Sequence, residues 1–183
     1  MNRRGKQIIV DTDGNAQSAQ LGSSRRLKTI YQTNLQSAYM VGRKASMEQS
    51  TDTHPYWRVI AILDHSALHG QIFRHDDPIW ATIYPPNGFN CRCRVIALSE
   101  AAVKRRGLTV ITSEGRTSTE TVETGTHKHT GEIRTATVTA VRLTNPQGHT
   151  VTFRTDPGFN HAPGAGLVAA LKQKEAAAKH PSP

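Results

Sequence analysis

The sequence has few cysteines, few aromatic residues and no long apolar run. Its two cysteines, Cys91 and Cys93, are one residue apart, a pattern unlike the disulfide framework of a small secreted domain. No segment approaches the roughly 18 consecutive apolar residues that a membrane span needs. The first residues carry charges but no apolar stretch of signal-peptide length. We therefore expect a protein with reduced thiols and no membrane partner.

Low apolar content and an excess of positive charge further limit the classes of protein that this sequence can belong to. The 183 residues are 36% hydrophobic, and mean hydropathy is −0.51, which indicates one domain with appendages and much exposed chain. The formal net charge is +9, and most of the excess lies before residue 107, where 15 Lys and Arg face 8 Asp and Glu. Such a balance favours an acidic partner, either DNA or an acidic protein surface. A charged surface that only keeps the protein in solution would explain the positive excess equally well.

The most informative stretch contains both cysteines. A Pro-Pro-Asn-Gly turn at 85–88 blocks helix formation and predicts that an extended strand follows, from Cys91 to Leu98. Side chains alternate between the two faces of a strand, so Cys91 and Cys93 share one face, and Arg92 and Arg94 share the other. The thiols and the guanidinium groups are thereby sorted to opposite sides.

The same stretch belongs to a set of motifs that occur in a fixed order. They are Arg-Leu-Lys-Thr-Ile-Tyr-Gln-Thr-Asn-Leu-Gln-Ser-Ala-Tyr at 26–39, His-Ser-Ala-Leu-His-Gly at 65–70, Asp-Asp-Pro-Ile-Trp at 76–80 and Tyr-Pro-Pro-Asn-Gly-Phe-Asn-Cys-Arg-Cys-Arg-Val at 84–95. Together they resemble the phage head morphogenesis family, the Mu F-like minor head proteins of tailed phages and prophages. Residues 156–164 resemble the closing segment of that family.

The resemblance implies a minor structural protein of a phage or prophage head that acts in capsid assembly near the portal. Its partners would be portal and capsid or scaffold proteins. Its location would be the bacterial cytoplasm during assembly and then the virion head. No enzymatic role is expected. A DNA-binding accessory of packaging or ejection is the first alternative, and a metal-dependent nuclease or effector is the second.

Two departures from the family pattern indicate a shortened copy. Members usually carry a longer N-terminal part than residues 1–22 provide. They also place a longer segment between the aspartate that corresponds to Asp64 and the His-x-x-Leu-x-Gly motif, whereas here Asp64 runs directly into His65.

Residue patterns predict an α+β fold, with a long N-terminal helix packed on a small mixed sheet, an appended β-hairpin and a C-terminal helical tail. The helix spans about 23–49, the sheet strands 56–63, 71–73 and 91–98, and short helices 76–84 and 99–107. We divide the chain into a polar leader, 1–22; a head morphogenesis domain, 23–106; a threonine-rich loop, 107–132; a hairpin with the closing segment, 133–164; and the tail, 165–183.

The long helix has apolar residues at helical spacing, which predicts that this stripe faces the core. Its members are Leu27, Ile30, Tyr31, Leu35, Ala38, Tyr39 and Ala45.

Cys91 and Cys93 on one strand face could supply two thiolates to a zinc ion, with His65 as a third ligand and His69 or His75 as a fourth. The alternative is a pair of buried, reduced thiols that pack as small apolar groups. The short segment before His65 favours this second interpretation, so we expect no cofactor, with zinc as the open alternative.

On the opposite face of the strand, Arg92 and Arg94 could bind phosphate or form ion pairs with Asp76 and Asp77. The ion pairs are the slightly favoured interpretation.

Overall fold

The computed structural model describes residues 6–10, 16–20, 23–127, 130–145 and 148–165. Two short strands, β1 (Lys6–Val10) and β2 (Ala16–Gln20), form an antiparallel pair. The polar leader therefore contains a strand pair. The predicted tail, 165–183, lies outside the described residues except for its first position, and the segment boundaries stay a prediction.

The long helix, α1 (Ser24–Glu48), begins and ends close to the predicted bounds. The hydroxyl of Ser23 caps it by accepting a hydrogen bond from the backbone N–H of Arg26 at 3.2 Å. Met40 and Met47 are its buried residues. The predicted core stripe is wrong, because its large side chains are exposed: Leu27 by 56%, Ile30 by 43%, Tyr31 by 67%, Leu35 by 57% and Tyr39 by 56%.

A three-stranded sheet explains why the inward side of α1 carries polar residues beside Met40 and Met47. The strands β3 (Tyr56–Ile60), β4 (Ile72–Arg74) and β5 (Arg94–Leu98) lie in the order β4-β3-β5. An edge strand such as β5 has unpaired backbone groups, which need hydrogen-bond partners. Gln36 donates to the carbonyl of Cys93 at 3.2 Å, and Arg43 donates to that of Val95 at 2.7 Å. The helix therefore meets the sheet with polar donors.

All pairings in this sheet are antiparallel, so the expected mixed sheet is wrong in that detail. Strand β5 begins at Arg94, three residues later than predicted, and the buried-exposed alternation of residues 91–95 is nevertheless as expected. The predicted 76–84 helix is a single 3₁₀ turn, Pro78–Ala81. The second helix, α2 (Glu100–Arg105), is capped by Ser99 as predicted.

Four aromatic side chains form the centre of the core. Trp57 contacts Trp80 at a ring-centroid distance of 5.4 Å and Tyr84 at 6.0 Å, and Phe73 contacts Trp80 at 5.7 Å. All four are at most 3% exposed. Both tryptophans of the sequence thus lie in this cluster, where large rings bury much apolar area.

A second antiparallel sheet contains β6 (Thr117–Thr126), β7 (Ile133–Thr144) and β8 (Thr150–Arg154), in that order. The β7–β8 pairing confirms the predicted hairpin. The threonine-rich loop prediction is wrong over β6, which pairs with β7 along its length. Because both faces of β6 are largely exposed, its sequence shows no apolar alternation. The strand is stabilised by its backbone hydrogen bonds with β7 and by the β propensity of threonine.

The second sheet and the first share one hydrophobic core. Val141, Leu143 and Phe153 belong to the same buried cluster as Trp57 and Tyr84. Among the helices that the structure describes, none combines the length and apolar character required to cross a membrane.

The closing segment folds back onto the turn that precedes the cysteines. The backbone N–H of Asp156 donates to the carbonyl of Asn87 at 2.9 Å, and Phe159 packs edge-on against Phe89 with ring centroids 5.0 Å apart. Residues 156–164 therefore help to fix the position of the cysteine segment.

Candidate metal centre

Three side chains from two separate segments meet at the junction of the sheets. His65 lies in the 3₁₀ turn Leu63–Leu68 between β3 and β4, and Cys91 and Cys93 lie just before β5. The Nδ1 atom of His65 is 3.4 Å from the Sγ of Cys91 and 3.4 Å from the Sγ of Cys93. All three potential ligand atoms lie within 4.8 Å of one another. The shortened segment before His65 therefore does not prevent the predicted residues from meeting.

Local backbone geometry places the two sulfurs. Asn90, just before Cys91, has a φ of 58°, a left-handed conformation that asparagine tolerates better than most residues. The chain is extended beyond it, and Cys91 and Cys93 point inward with exposed fractions of 8% and 0%. Both are free thiols.

The imidazole of His65 contacts the second sheet. Its ring packs edge-on against Phe153 of β8, with ring centroids 5.5 Å apart. Since Phe153 is only 4% exposed, it is a fixed part of the core. The second sheet thus orients the histidine toward the thiols.

The proximity of the two thiols makes one of them easier to ionise than the other. Interaction with Cys93 lowers the pKa of Cys91, against the opposing effect of burial, and His65 and the backbone at Asn87 and Cys93 contribute. The pKa of Cys93 is raised, first by its interaction with Cys91 and then by burial and by the charge of Cys91. The arrangement therefore favours a thiolate at Cys91.

His69 and His75, considered as a fourth ligand, do not belong to this cluster. Nδ1 of His69 lies 3.0 Å from the carbonyl oxygen of Ala61, and the ring of His75 packs beside Trp57 with centroids 6.4 Å apart. Among the described residues, His65, Cys91 and Cys93 form the one group of three or more side chains suited to hold a metal ion.

The outward-facing arginines do not form the expected ion pairs. Asp76 pairs with Arg74, at 3.0 Å between the nearest nitrogen and oxygen. Asp77 accepts hydrogen bonds from the backbone N–H of Ile79 at 2.9 Å and from the N–H and hydroxyl of Ser113. Both aspartates thus bind other groups, and Arg92 and Arg94 are exposed to solvent.

A cavity of about 380 Å³ opens beside His65 and Cys91. One of its lining residues is Asp156, which was not among the residues predicted for the site. The only feature of the sequence that could have pointed to Asp156 is its position at the start of the closing segment. An ideal Cβ on Gly88 would lie 2.8 Å from the Cγ of Asp156, so the absence of a side chain at Gly88 makes room for this carboxylate. The full lining is Ile62, His65, Phe89, Asn90, Cys91, Arg92 and Asp156.

Comparisons with known proteins agree with the motifs. The family model described as phage Mu protein F-like protein matches residues 7–96. A protein of Escherichia phage Mu, provisionally named capsid assembly protein F, is 45% identical over 168 residues, which are 88% of this chain and 37% of that protein. The Mu-like prophage FluMu F protein of Haemophilus influenzae is 44% identical over 172 residues, covering 88% of this chain and 40% of its own length.

The chain therefore spans about two-fifths of the length of these relatives. No solved structure gives a significant match.

Proposed function

The chain belongs to the phage Mu protein F-like family, and on this premise we propose that it is a minor structural component of a tailed-phage or prophage head. It acts in head morphogenesis by binding the portal protein, without catalytic activity of its own. The naming of the phage Mu relative for capsid assembly supports this role. The observation that carries the proposal is the exposed apolar face of α1.

This apolar face, which consists of Leu27, Ile30, Tyr31, Leu35 and Tyr39, has side chains between 43% and 67% exposed. Scattered apolar residues on a surface need no explanation, but a stripe along one helix is a contiguous patch. The opposite side of α1 already contacts β5 through Gln36 and Arg43, so the apolar face is not needed to dock the helix. Among the residues that the structure describes, none buries this face, so we take it as available to a partner.

A groove continues this face toward the cysteine segment. Its volume is about 640 Å³, and Leu35 and Tyr39 of α1 form one wall while Asn90, Cys91 and Arg92 form the other. Concave apolar surface beside exposed aromatic rings is typical of sites that receive an anchoring side chain from another protein. The patch and groove together form a surface suited to a protein partner.

The charges around the patch indicate that the partner is acidic. Arg25, Arg26 and Lys28 are exposed in the first turns of α1, where the first turn has no acidic residue. Cations at a helix N-terminus oppose the helix dipole, so they do not stabilise the helix itself. We therefore propose that the portal surface combines an apolar pocket with an acidic rim.

Binding to purified portal protein of the same phage or prophage tests this proposal. Leu35→Asp should reduce affinity at least tenfold, because it places an uncompensated charge in the apolar contact. The matched control is Ile133→Asp, since Ile133 is 55% exposed but belongs to the second sheet. Normal portal binding by Leu35→Asp would refute the assignment of this surface.

The DNA-binding alternative depends on the same arginines and on the general excess of positive charge. It predicts affinity for DNA that falls steeply with salt and is insensitive to Leu35→Asp. Strong, salt-dependent DNA binding without portal binding would favour that alternative.

A further inference from the structure

We propose that His65, Cys91 and Cys93 together bind one zinc ion, with a water molecule from the adjoining cavity in the fourth coordination position. The proposed head function does not require this site, and the two can be tested separately.

The separations of the three ligand atoms fit a tetrahedral zinc site. Zinc–sulfur bonds of about 2.3 Å and zinc–nitrogen bonds of about 2.05 Å imply nitrogen–sulfur separations of roughly 3.6 Å and sulfur–sulfur separations of roughly 3.8 Å. His65 Nδ1 is 3.4 Å from each sulfur, and no two of the three atoms are more than 4.8 Å apart. An ion can therefore bind with only small side-chain movements.

The donor types select the metal. Thiolate and imidazole ligands favour zinc, whereas magnesium and calcium require oxygen ligands. With zinc bound, both cysteines would be thiolates, and the ion would neutralise their combined charge of about −2 inside the protein.

The groups around the ligands are those that support metal-bound thiolates. The backbone at Asn87 and Cys93 favours the charged form of the Cys91 sulfur, and the backbone at Ile62 favours that of Cys93. Phe153 packs against the ring of His65 and so limits its orientation.

The fourth position is open to the cavity of about 380 Å³ beside His65 and Cys91. The carboxylate of Asp156 lines this cavity but lies outside the group of three close ligand atoms. A water that completes the tetrahedron can therefore donate a hydrogen bond toward Asp156.

Metal binding at this position connects parts of the fold that are distant in the sequence. It joins the 3₁₀ turn Leu63–Leu68 to the segment that leads into β5, whose edge receives α1. Because the site is assembled only in the folded chain, binding free energy adds to folding stability. Removing the metal should therefore lower the thermal midpoint of the whole domain.

Elemental analysis of the chain, expressed in zinc-supplemented medium and purified under reducing conditions, is the first test. We expect close to one zinc per chain in the wild type and almost none in Cys93→Ser or His65→Ala. His161→Ala is the matched control, because His161 is exposed, and it should retain the metal. Equal metal content in wild type and His65→Ala would overturn the assignment, as would a wild-type chain without zinc.

Cobalt titration and thiol labelling of the wild type keep the proposal testable if a variant fails to fold. Cobalt should give thiolate-to-metal charge-transfer absorption and the intense visible bands of a tetrahedral site. Zinc should slow alkylation of both cysteines by at least tenfold relative to chelator-treated protein. Absence of the charge-transfer band, or labelling rates that do not depend on zinc, would show that the thiols are only packed.

Discussion

Met40 and Leu35 lie on the same helix, α1, but in different surroundings. Met40 is fully buried in the core, and Leu35 is 57% exposed on the apolar face. Replacing each by alanine in separate variants measures whether that face belongs to the core of the free protein.

The two substitutions should lower the free energy of unfolding by clearly different amounts. Truncating a buried methionine to alanine costs about 2–5 kcal/mol, because apolar contacts are lost and a cavity is left. A fully buried leucine contributes about 1.5–3 kcal/mol, and less than half of Leu35 is buried, so its loss should cost at most about 1 kcal/mol. The slightly higher helix propensity of alanine reduces this further.

Urea denaturation followed by far-UV circular dichroism gives both values. With a slope of about 2 kcal/mol per molar urea, Met40→Ala should lower the midpoint by about 1–2.5 M and Leu35→Ala by less than about 0.5 M. A Leu35→Ala shift as large as that of Met40→Ala would show that the apolar face is covered in the free protein. The apolar face would then belong to the folded core and would not be a docking surface.

Three further predictions follow from single contacts. Burial raises the pKa of Tyr84, so the native state keeps a proton that the unfolded chain loses above pH about 10. Above that pH, the free energy of unfolding of the wild type should therefore fall by up to about 1.4 kcal/mol per pH unit relative to that of Tyr84→Phe. Denaturation at a series of pH values measures the difference. Gly88→Ala should destabilise the protein by about 0.5–1.5 kcal/mol, because the added Cβ displaces the exposed carboxylate of Asp156, and a double-mutant cycle with Asp156→Gly should recover most of that loss, whereas additive effects would contradict the clash. Asp77→Ala removes the hydrogen bonds to Ile79 and Ser113 and should cost about 2–3 kcal/mol in urea denaturation; an unchanged midpoint would show that water replaces the carboxylate.

The exposed apolar face shows where sequence patterns are ambiguous. A stripe at helical spacing predicts that one side of a helix is buried, but it does not say whether the covering surface belongs to the same chain. In α1 the inward side carries Gln36 and Arg43, since the helix meets the open edge of β5 and must supply hydrogen-bond donors. Only the strand order could reveal that requirement.

The second sheet shows a different limit. The β-rich segments 133–143 and 149–154 on either side of the turn residues 145–148 were enough to predict a hairpin, although they did not reveal that β7 is buried on both faces at residues 138–141. The neighbouring β6 contains mostly exposed threonine, glutamate and glycine, so its sequence lacks the period that marks a strand. Its extended structure results from pairing with β7, a contact between residues far apart in the chain.

Local residue chemistry, by itself, determined the capped helices, the turn at 85–88, the inward direction of both cysteines and the family. Those features depend on backbone preferences and on spacing within a few residues, which a sequence states directly. The sequence named His65 as a ligand, and the tertiary structure decided that neither His69 nor His75 joins the two sulfurs and that Asp156 lines the cavity beside them. These positions depend on how β3, β5 and β8 pack together, and the free energy of that packing is shared among many distant residues.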